Sequence, residues 1–348
     1  MLALRRGRVV RAGAGRLEAD GVETGRAGPG GEQPLVVELA DGRHPAVADV
    51  GLVGACREGD EVIVNVAARE LGLGSGGFDI VHVNLTRGLS GAGPAGAAVM
   101  KLNYSSLQHA AAPLEAARPL RRPTGTAVVI ALHGQLAPLA WALAGARAAV
   151  RVGYVQTAGG ALPGSRSRVV GELLARGLLA GHLTAGPCYG GADGETVTAI
   201  GAIDHGLTEL GWELAVCGPG PGIIGSASTL GHGGMAALDS AHAALCLGAP
   251  TLIVPRMSSS DPRPRHRGIS HHTRTVLELL LAPVTVALPA GVEPPPWGTA
   301  HRWVGGEADL EGYAASGLPV RTMGRTMAED PLFFAAALAA GAVAAARA

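Results

Sequence analysis

The sequence predicts an α/β protein in two parts: a small N-terminal β-barrel or sandwich, then a three-layer α/β domain on a mainly parallel sheet. Three observations lead there. Residues 1–85 carry short β-branched runs separated by glycine turns. From residue 126 onward, apolar runs alternate with helix-length amphipathic segments. Between the two regimes lies PLEAARPLRRPTG, with three prolines and a basic pair. Domains are therefore expected at 1–112 and 126–348, with 113–125 as the connection.

In the first part, LVVEL (35–39), VIVNV (62–66) and IVHVNL (80–85) read as strands, and Asp41-Gly42 and Gly59-Asp60 as turns. The passage LGLGSGG (71–77) is too glycine-rich for a helix. In the second part, AVVIAL (127–132) reads as a buried strand and 136–149 as its helix. Strands are expected at 150–156, near 182–185, and at 212–217, 251–254 and 284–288. Helices are expected at 166–179, 195–210, 235–247 and 273–281. Near-continuous apolar strands alternating with helices point to a parallel sheet covered on both faces. GVEPPPWG (291–298) reads as an irregular passage before the final helix. That helix, 331–346, has Asp330 as its cap and Pro331 in its first turn, and docks on the core.

Composition narrows the classes. Lys+Arg and Asp+Glu both total 28 in 348 residues, so the basic excess of a nucleic-acid binder is missing. Hydrophobic residues make up 47%, which excludes extended disorder. Four separated cysteines with no CxxC pair argue against a zinc knuckle or a disulfide framework and for thiols in a reducing compartment. No secretory leader and no membrane span is read, so a soluble cytoplasmic protein is expected. Small-residue helices are compatible with a homo-oligomer.

In a parallel sheet, ligands sit at the carboxyl ends of the strands, so function is expected in the loops that follow them. His133 and Gln135 follow the first strand of the second part, where His133 either ties down the loop or contacts ligand. The loop 184–193 combines Cys188, read mainly as a packed thiol, with Asp193. GPGPGIIGS (218–226) contains Gly220-x-Gly222-x-x-Gly225, but no helix follows at once, and Asp239 falls inside a helix. A nicotinamide site is therefore disfavoured. The backbone from Gly218 to Ser226 is left as an anion cradle or a structural turn, with Ser228 and His232 just beyond.

The most specific segment is SSSDPRPRHRGISHHT (258–273). Ser270 caps the next helix and places His271 and His272 in its first turn, where the dipole favours neutral imidazoles. Arg263, Arg265 and Arg267 add three guanidiniums suited to phosphate or carboxylate. Three readings stay open. In one, Arg267 and the helix end hold an anionic metabolite and a histidine does acid–base work. In another, Asp261, His266 and one of His271 or His272 hold a divalent metal; helical neighbours point about 100° apart, so both binding one ion directly is not expected. In the third, the loop braces a sheet edge or a subunit contact.

The segments DPRPRHRGISHHT (261–273), GPGPGIIGS (218–226), VNVAARELGLGSGG (64–77) and EDPLFF (329–334) together resemble the bacterial domain-of-unknown-function 3866 family over nearly the whole chain. HRGISHHT is the most specific portion. After GPGIIG the family pattern carries a hydroxyl-rich stretch and a Phe-Gly-Phe-like segment; here the chain reads SASTLGHGGM. The resemblance implies a bacterial, intracellular, two-part protein and supplies no activity.

The expectation is a hydrolase or transferase acting on a phosphate- or carboxylate-bearing small metabolite. Arg267 holds the charge, His266 or His271 does acid–base work, and His272 orients. Gly218, Gly220, Gly222, Gly225 and Ser226 form the cradle, with His133 and Asp193 nearby, and Asp261 joins the catalytic set. A non-catalytic ligand-binding or assembly protein is the alternative. A metal hydrolase using Asp261 and the histidines comes third.

Overall fold

The computed structural model describes residues 2–13, 17–18, 21–22, 31–73, 76–115, 117–226 and 228–347. Gly74 and Ser75 of the glycine-rich passage, Ala116 of the connection and Ala227 of the hydroxyl-bearing loop lie outside the described residues. The chain forms two compact units, Met1–Ala112 and Pro113–Ala348.

In the first unit β1 (Leu4–Ala12), β2 (Glu32–Leu39), β3 (Gly42–Asp49), β4 (Glu61–Asn65) and β5 (Asp79–Asn84) close a barrel in the order β1-β2-β3-β5-β4. All pairs are antiparallel except β3 with β5. This order, with its one parallel pair, is that of an OB-type Greek-key barrel, an architecture that carries no activity by itself. Alternate positions point inward, so Leu35 and Val37, Ala46 and Ala48, and Val62 and Val64 pack with Val9 and Val81 in one apolar core. Gly7 must lack a side chain, because a Cβ there would stand 2.5 Å from Leu39. The short strands Val99–Lys101 and His109–Ala111 form a separate hairpin.

The second unit is an eight-stranded sheet. Its strands are β6 (Thr126–Ile130), β7 (Val152–Thr157), β8 (Gly181–Ala185), β9 (Glu195–Thr196), β10 (Leu214–Pro219), β11 (Thr251–Val254), β12 (Thr285–Pro289) and β13 (Arg302–Gly306). They run in the order β9-β8-β7-β10-β6-β11-β12-β13, and every pair is parallel. The chain leaves β6 toward β7 on one side and later leaves β11 toward β12 on the other. The carboxyl ends of β6 and β11 therefore flank a topological switch point.

Helices α1 (Leu136–Ala146), α2 (Arg168–Ala175), α6 (Leu310–Ala315) and α7 (Pro331–Ala345) share one apolar core on one face. Helices α3 (Ala199–Thr208), α4 (Ala236–Cys246) and α5 (His271–Leu279) cover the other. The C-terminal helix is buried on nearly all sides, and its Gly341 lets α1 approach: a Cβ would lie 2.6 Å from Ala142 Cβ.

Several expectations need correction. Glu195–Thr196 is an edge strand, and its helix starts only at Ala199, where Thr198 caps it. The passage after residue 291 leads to β13 and α6, not directly to the final helix. Asp330 holds the N-cap position of α7, but its carboxylate makes no cap bond and accepts instead from Ser258 Oγ (2.6 Å), Ser259 N (2.8 Å) and Arg325 Nε (3.0 Å). Three of the four cysteines are buried, but Cys246 is exposed. Within the proline-rich stretch, Leu114 N donates to Glu195 O, Glu115 accepts from Val197 N, and Arg118 pairs with Asp204.

Candidate functional site

Gln135 ties the switch point together. Its Oε1 accepts from Ala131 N and Leu132 N at 3.1 Å, and its Nε2 donates to Pro255 O at 3.0 Å. The ends of β6 and β11 are thus joined by one buried amide. Beside it, His133 Nε2 lies 2.7 Å from Ser167 Oγ, and its Nδ1 lies 3.3 Å from both Pro219 O and Tyr154 Oη. Tyr154 donates to Pro219 O at 2.8 Å, and its ring stacks on His182. Ser167 also caps α2 by accepting from Val170 N. Burial pushes the pKa of His133 and His182 down to about 4, so both are neutral near pH 7.

A cavity of about 410 Å³ opens here. His133 and Gly134 form one wall, Gly220 to Ile223 a second, and Thr322 and Met323 a third. Its size suits a small metabolite. Thr322 and Met323 belong to a hairpin, Arg321–Thr322 with Arg325–Thr326, turned by Met323 (φ 49) and Gly324 (φ 79). The glycines differ in purpose. A Cβ on Gly218 would strike Ile130 at 2.3 Å, and one on Gly220 would strike Ala161 O at 2.3 Å, so both serve close backbone packing. Gly222 has φ 68 and open space beside it. Ser226 bonds to Ser228 and to Gly231 O, closing the loop on itself, and Gly225 bridges His232.

Past β11 the chain builds a cationic cluster. Arg256 is buried (3% exposed) directly after the strand. The Asp261 carboxylate is fully buried and receives Arg263 through Nε and Nη2 at 2.9 Å, Arg325 at 3.3 Å and Arg256 at 3.4 Å. Burial alone would raise its pKa, but the hydrogen bonds from Arg263 hold it well below the usual carboxylate range. Arg267 Nε donates to Asp261 O at 3.0 Å, and its side chain is exposed. Three guanidiniums thus meet the Asp261 carboxylate and Arg325 also meets Asp330, while Arg267 bonds the Asp261 backbone and Arg265 lies against His266.

Four imidazoles complete the cluster. Ser270 accepts from His272 N, so its cap sets the first turn of α5. His266 Nδ1 and Ser270 Oγ lie 2.8 Å apart. Arg256 Nη1 meets His272 Nδ1 at 2.9 Å, and since a guanidinium only donates, that nitrogen is the acceptor. His232 arrives from the glycine loop and stacks on His272, with ring centroids 3.5 Å apart at 11°. His271 lies 4.4 Å from His272 and 4.7 Å from His266, centroid to centroid. Burial, and then the neighbouring guanidiniums and imidazoles, lower every one of these pKa values: His266 to about 3, His272 to about 2, and His232 and His271 below the ordinary histidine range. Both ring nitrogens of His232, Nε2 of His271 and Nε of Arg256 are buried without a hydrogen-bond partner.

The segment 256–272 thus brings Asp261, His266, His271 and His272 together and adds His232, Arg256 and Arg325. The sequence alone did not single out these last two. Arg256 had one signal, a basic residue immediately at a strand's carboxyl end. Arg325 had none, because it reaches Asp261 from 64 residues away. Asp193 stands apart, accepting from His182 N at 2.7 Å near the amino end of β8. Cys188 is buried.

The profile of one family, described as a protein of unknown function (DUF3866), matches residues 46–341. The chain belongs to that family. No curated protein and no solved structure matches it. The DUF3866 match takes in the whole histidine–arginine cluster and the cavity walls, and it brings no activity with it. Among the described residues, no helix is long and apolar enough to cross a membrane.

Proposed function

We propose that this protein is a soluble, cytoplasmic bacterial enzyme, a hydrolase or transferase acting on a small phosphate- or carboxylate-bearing metabolite at the carboxyl edge of the parallel sheet. One observation carries the reading: the buried, unpartnered nitrogens of His232 and His271 stand beside the guanidiniums that enclose Asp261 at the switch point. Such a set attracts an anion and offers it both hydrogen-bond donors and a proton acceptor. The exposed Arg267, with Arg263 and Arg265, meets the substrate charge. His271 does the acid–base work, because its Nε2 has no other task. His272 orients, His266 steadies the turn through Ser270, and the backbone from Gly220 to Ile223 walls the cavity. Asp261 holds the guanidiniums in place and does not meet the substrate.

A second reading, a ligand-binding protein without turnover, draws on the weak basicity of His266 and His272, which are poor proton acceptors. Thermal unfolding in inorganic phosphate, pyrophosphate and citrate, against sodium chloride at matched ionic strength, tests both. Polyvalent anions stabilise proteins generally, so the informative quantity is the difference between wild type and Arg267→Ala. Saturable binding at 100 times Kd contributes about 2.7 kcal/mol. Identical responses in the two proteins would reject an anion site at this edge.

A further inference from the structure

We infer that His232, His271 and His272 form a binding site for one transition-metal dication of the zinc class, which is filled together with an oxyanion. One ligating atom from each of these residues lies within 4.8 Å of the other two. His232 is 7% exposed, yet neither of its ring nitrogens makes a well-formed hydrogen bond, although the Thr229 backbone lies near its ring, and Nε2 of His271 is likewise buried and unpartnered. Buried polar atoms left in this state in a native fold mark a missing ligand.

The scaffold holds two of the ligands firmly and one loosely. His271 and His272 occupy the Ser270-capped turn of α5 and, against the expectation for helical neighbours, bring a ring nitrogen each within 4.8 Å of the other. His232 sits on the loop after β10, pinned through its backbone by Gly233 N donating to Ile224 O at 2.7 Å, while its ring only stacks. Parallel rings send their in-plane lone pairs along parallel lines, so the ion is captured as the unbonded His232 ring turns off the stack. Asp261 is not a ligand, because its carboxylate faces three guanidiniums. His266 is engaged by Ser270.

The donor set fixes the ion. Three imidazoles and no carboxylate suit zinc, cobalt or nickel and give magnesium or calcium little to bind. Three protein ligands also leave a position open, the pattern of a catalytic and not a structural metal. Arg256 opposes a bare dication by its charge, and its bond to Nδ1 leaves the proton of neutral His272 on Nε2, so ligation by His272 requires that guanidinium to turn away. An oxyanion in the open position, facing the guanidiniums, removes that opposition, so ion and anion bind cooperatively. The anion half rests on the function proposed above; the ion half stands on the histidines alone. With the ion in place, His271 is a ligand and the acid–base role passes from it.

The test uses untagged full-length protein stripped with chelator, then titrated calorimetrically with zinc or magnesium in sulfate or perchlorate at matched ionic strength, and with cobalt for its absorption spectrum. The expected result is one zinc per chain, tetrahedral cobalt bands, no magnesium binding, and tighter zinc in sulfate. His232→Ala should weaken zinc about 100-fold or more, whereas His205→Ala, on α3 and outside the cluster, should change it less than about threefold. No stoichiometric zinc, or zinc binding unchanged in His232→Ala, overturns the site. Circular dichroism verifies that each variant is folded. Zinc binding that ignores sulfate rejects the coupling and the anion reading while the ion site stands. Anion stabilisation without zinc rejects the ion site alone.

Discussion

Asp261→Asn is the most revealing single change at the centre of the cluster. The wild-type carboxylate is fully buried and faces Arg263, Arg325 and Arg256 at 2.9 to 3.4 Å. Two of those guanidiniums lose little without it: Arg263 has a half-exposed side chain, and Arg325 keeps Asp330 at 3.0 Å. Arg256 loses most, since it is 3% exposed and its other neighbours are His272 and Met323 Sδ. Leaving a buried guanidinium uncompensated costs about 3–5 kcal/mol. At about 2–4 °C per kcal/mol for a unit of this size, Tm should fall by roughly 6–20 °C. Denaturant unfolding followed by circular dichroism reads the change directly. The double variant Asp261→Asn/Arg256→Met should recover much of the loss, because the stranded charge is gone. A loss below about 1 kcal/mol in Asp261→Asn, or no recovery in the double variant, would refute the argument.

Three further outcomes are expected. Gly153→Ala should destabilise the α/β unit by about 3 kcal/mol or more, since the new Cβ would stand 2.0 Å from the Trp212 ring; a neutral effect by calorimetry would contradict the packing. Ser270→Ala should cost about 1 kcal/mol through its lost cap, read by thermal unfolding, and an unchanged Tm would contradict the cap. Acid should weaken the fold through His133 and His182: with folded pKa values of about 4 against about 6.5 unfolded, the unfolded chain takes up protons that the native state refuses. Stability is then fully present above about pH 6.5 and declines as pH falls toward 4, by about 2 kcal/mol per group between pH 7 and 5. A flat Tm over that interval would show that these imidazoles are not held neutral.

The fold was largely legible. Its strands are apolar runs such as AVVIAL and TLIV, which a sheet covered on both faces requires, and the barrel strands alternate where only one face is buried. What escaped had weak local signals. β13 (RWVGG) follows a proline-rich passage, lies at the sheet edge and is only partly buried, so its pattern is neither continuous nor alternating. Glu195–Thr196 is two residues long. Asp330 looked like a cap by position, yet long-range contacts to Ser258 and Arg325 claimed its carboxylate.

The candidate site was legible in one segment and hidden elsewhere. DPRPRHRGISHHT announced itself by packing acid, base and hydroxyl groups into one loop. The partners that complete it, His232 and Arg325, come from distant loops, and only the topology brings them to the same edge. Asp261 shows the limit of reading residue type: the same carboxylate that suggests a metal ligand is here enclosed by guanidiniums.

The central claim is that this edge transforms an anionic metabolite with His271 at work, and turnover tests it most directly. Release of phosphate or of carboxylic acid should be followed across a panel of phosphomonoesters, phosphoanhydrides and carboxylate esters, with and without zinc, for wild type and His271→Ala. The account predicts turnover of at least one class by wild type and loss of at least about 100-fold in a variant of unchanged Tm. Equal rates in the two proteins, or no turnover by wild type under either condition, would contradict it.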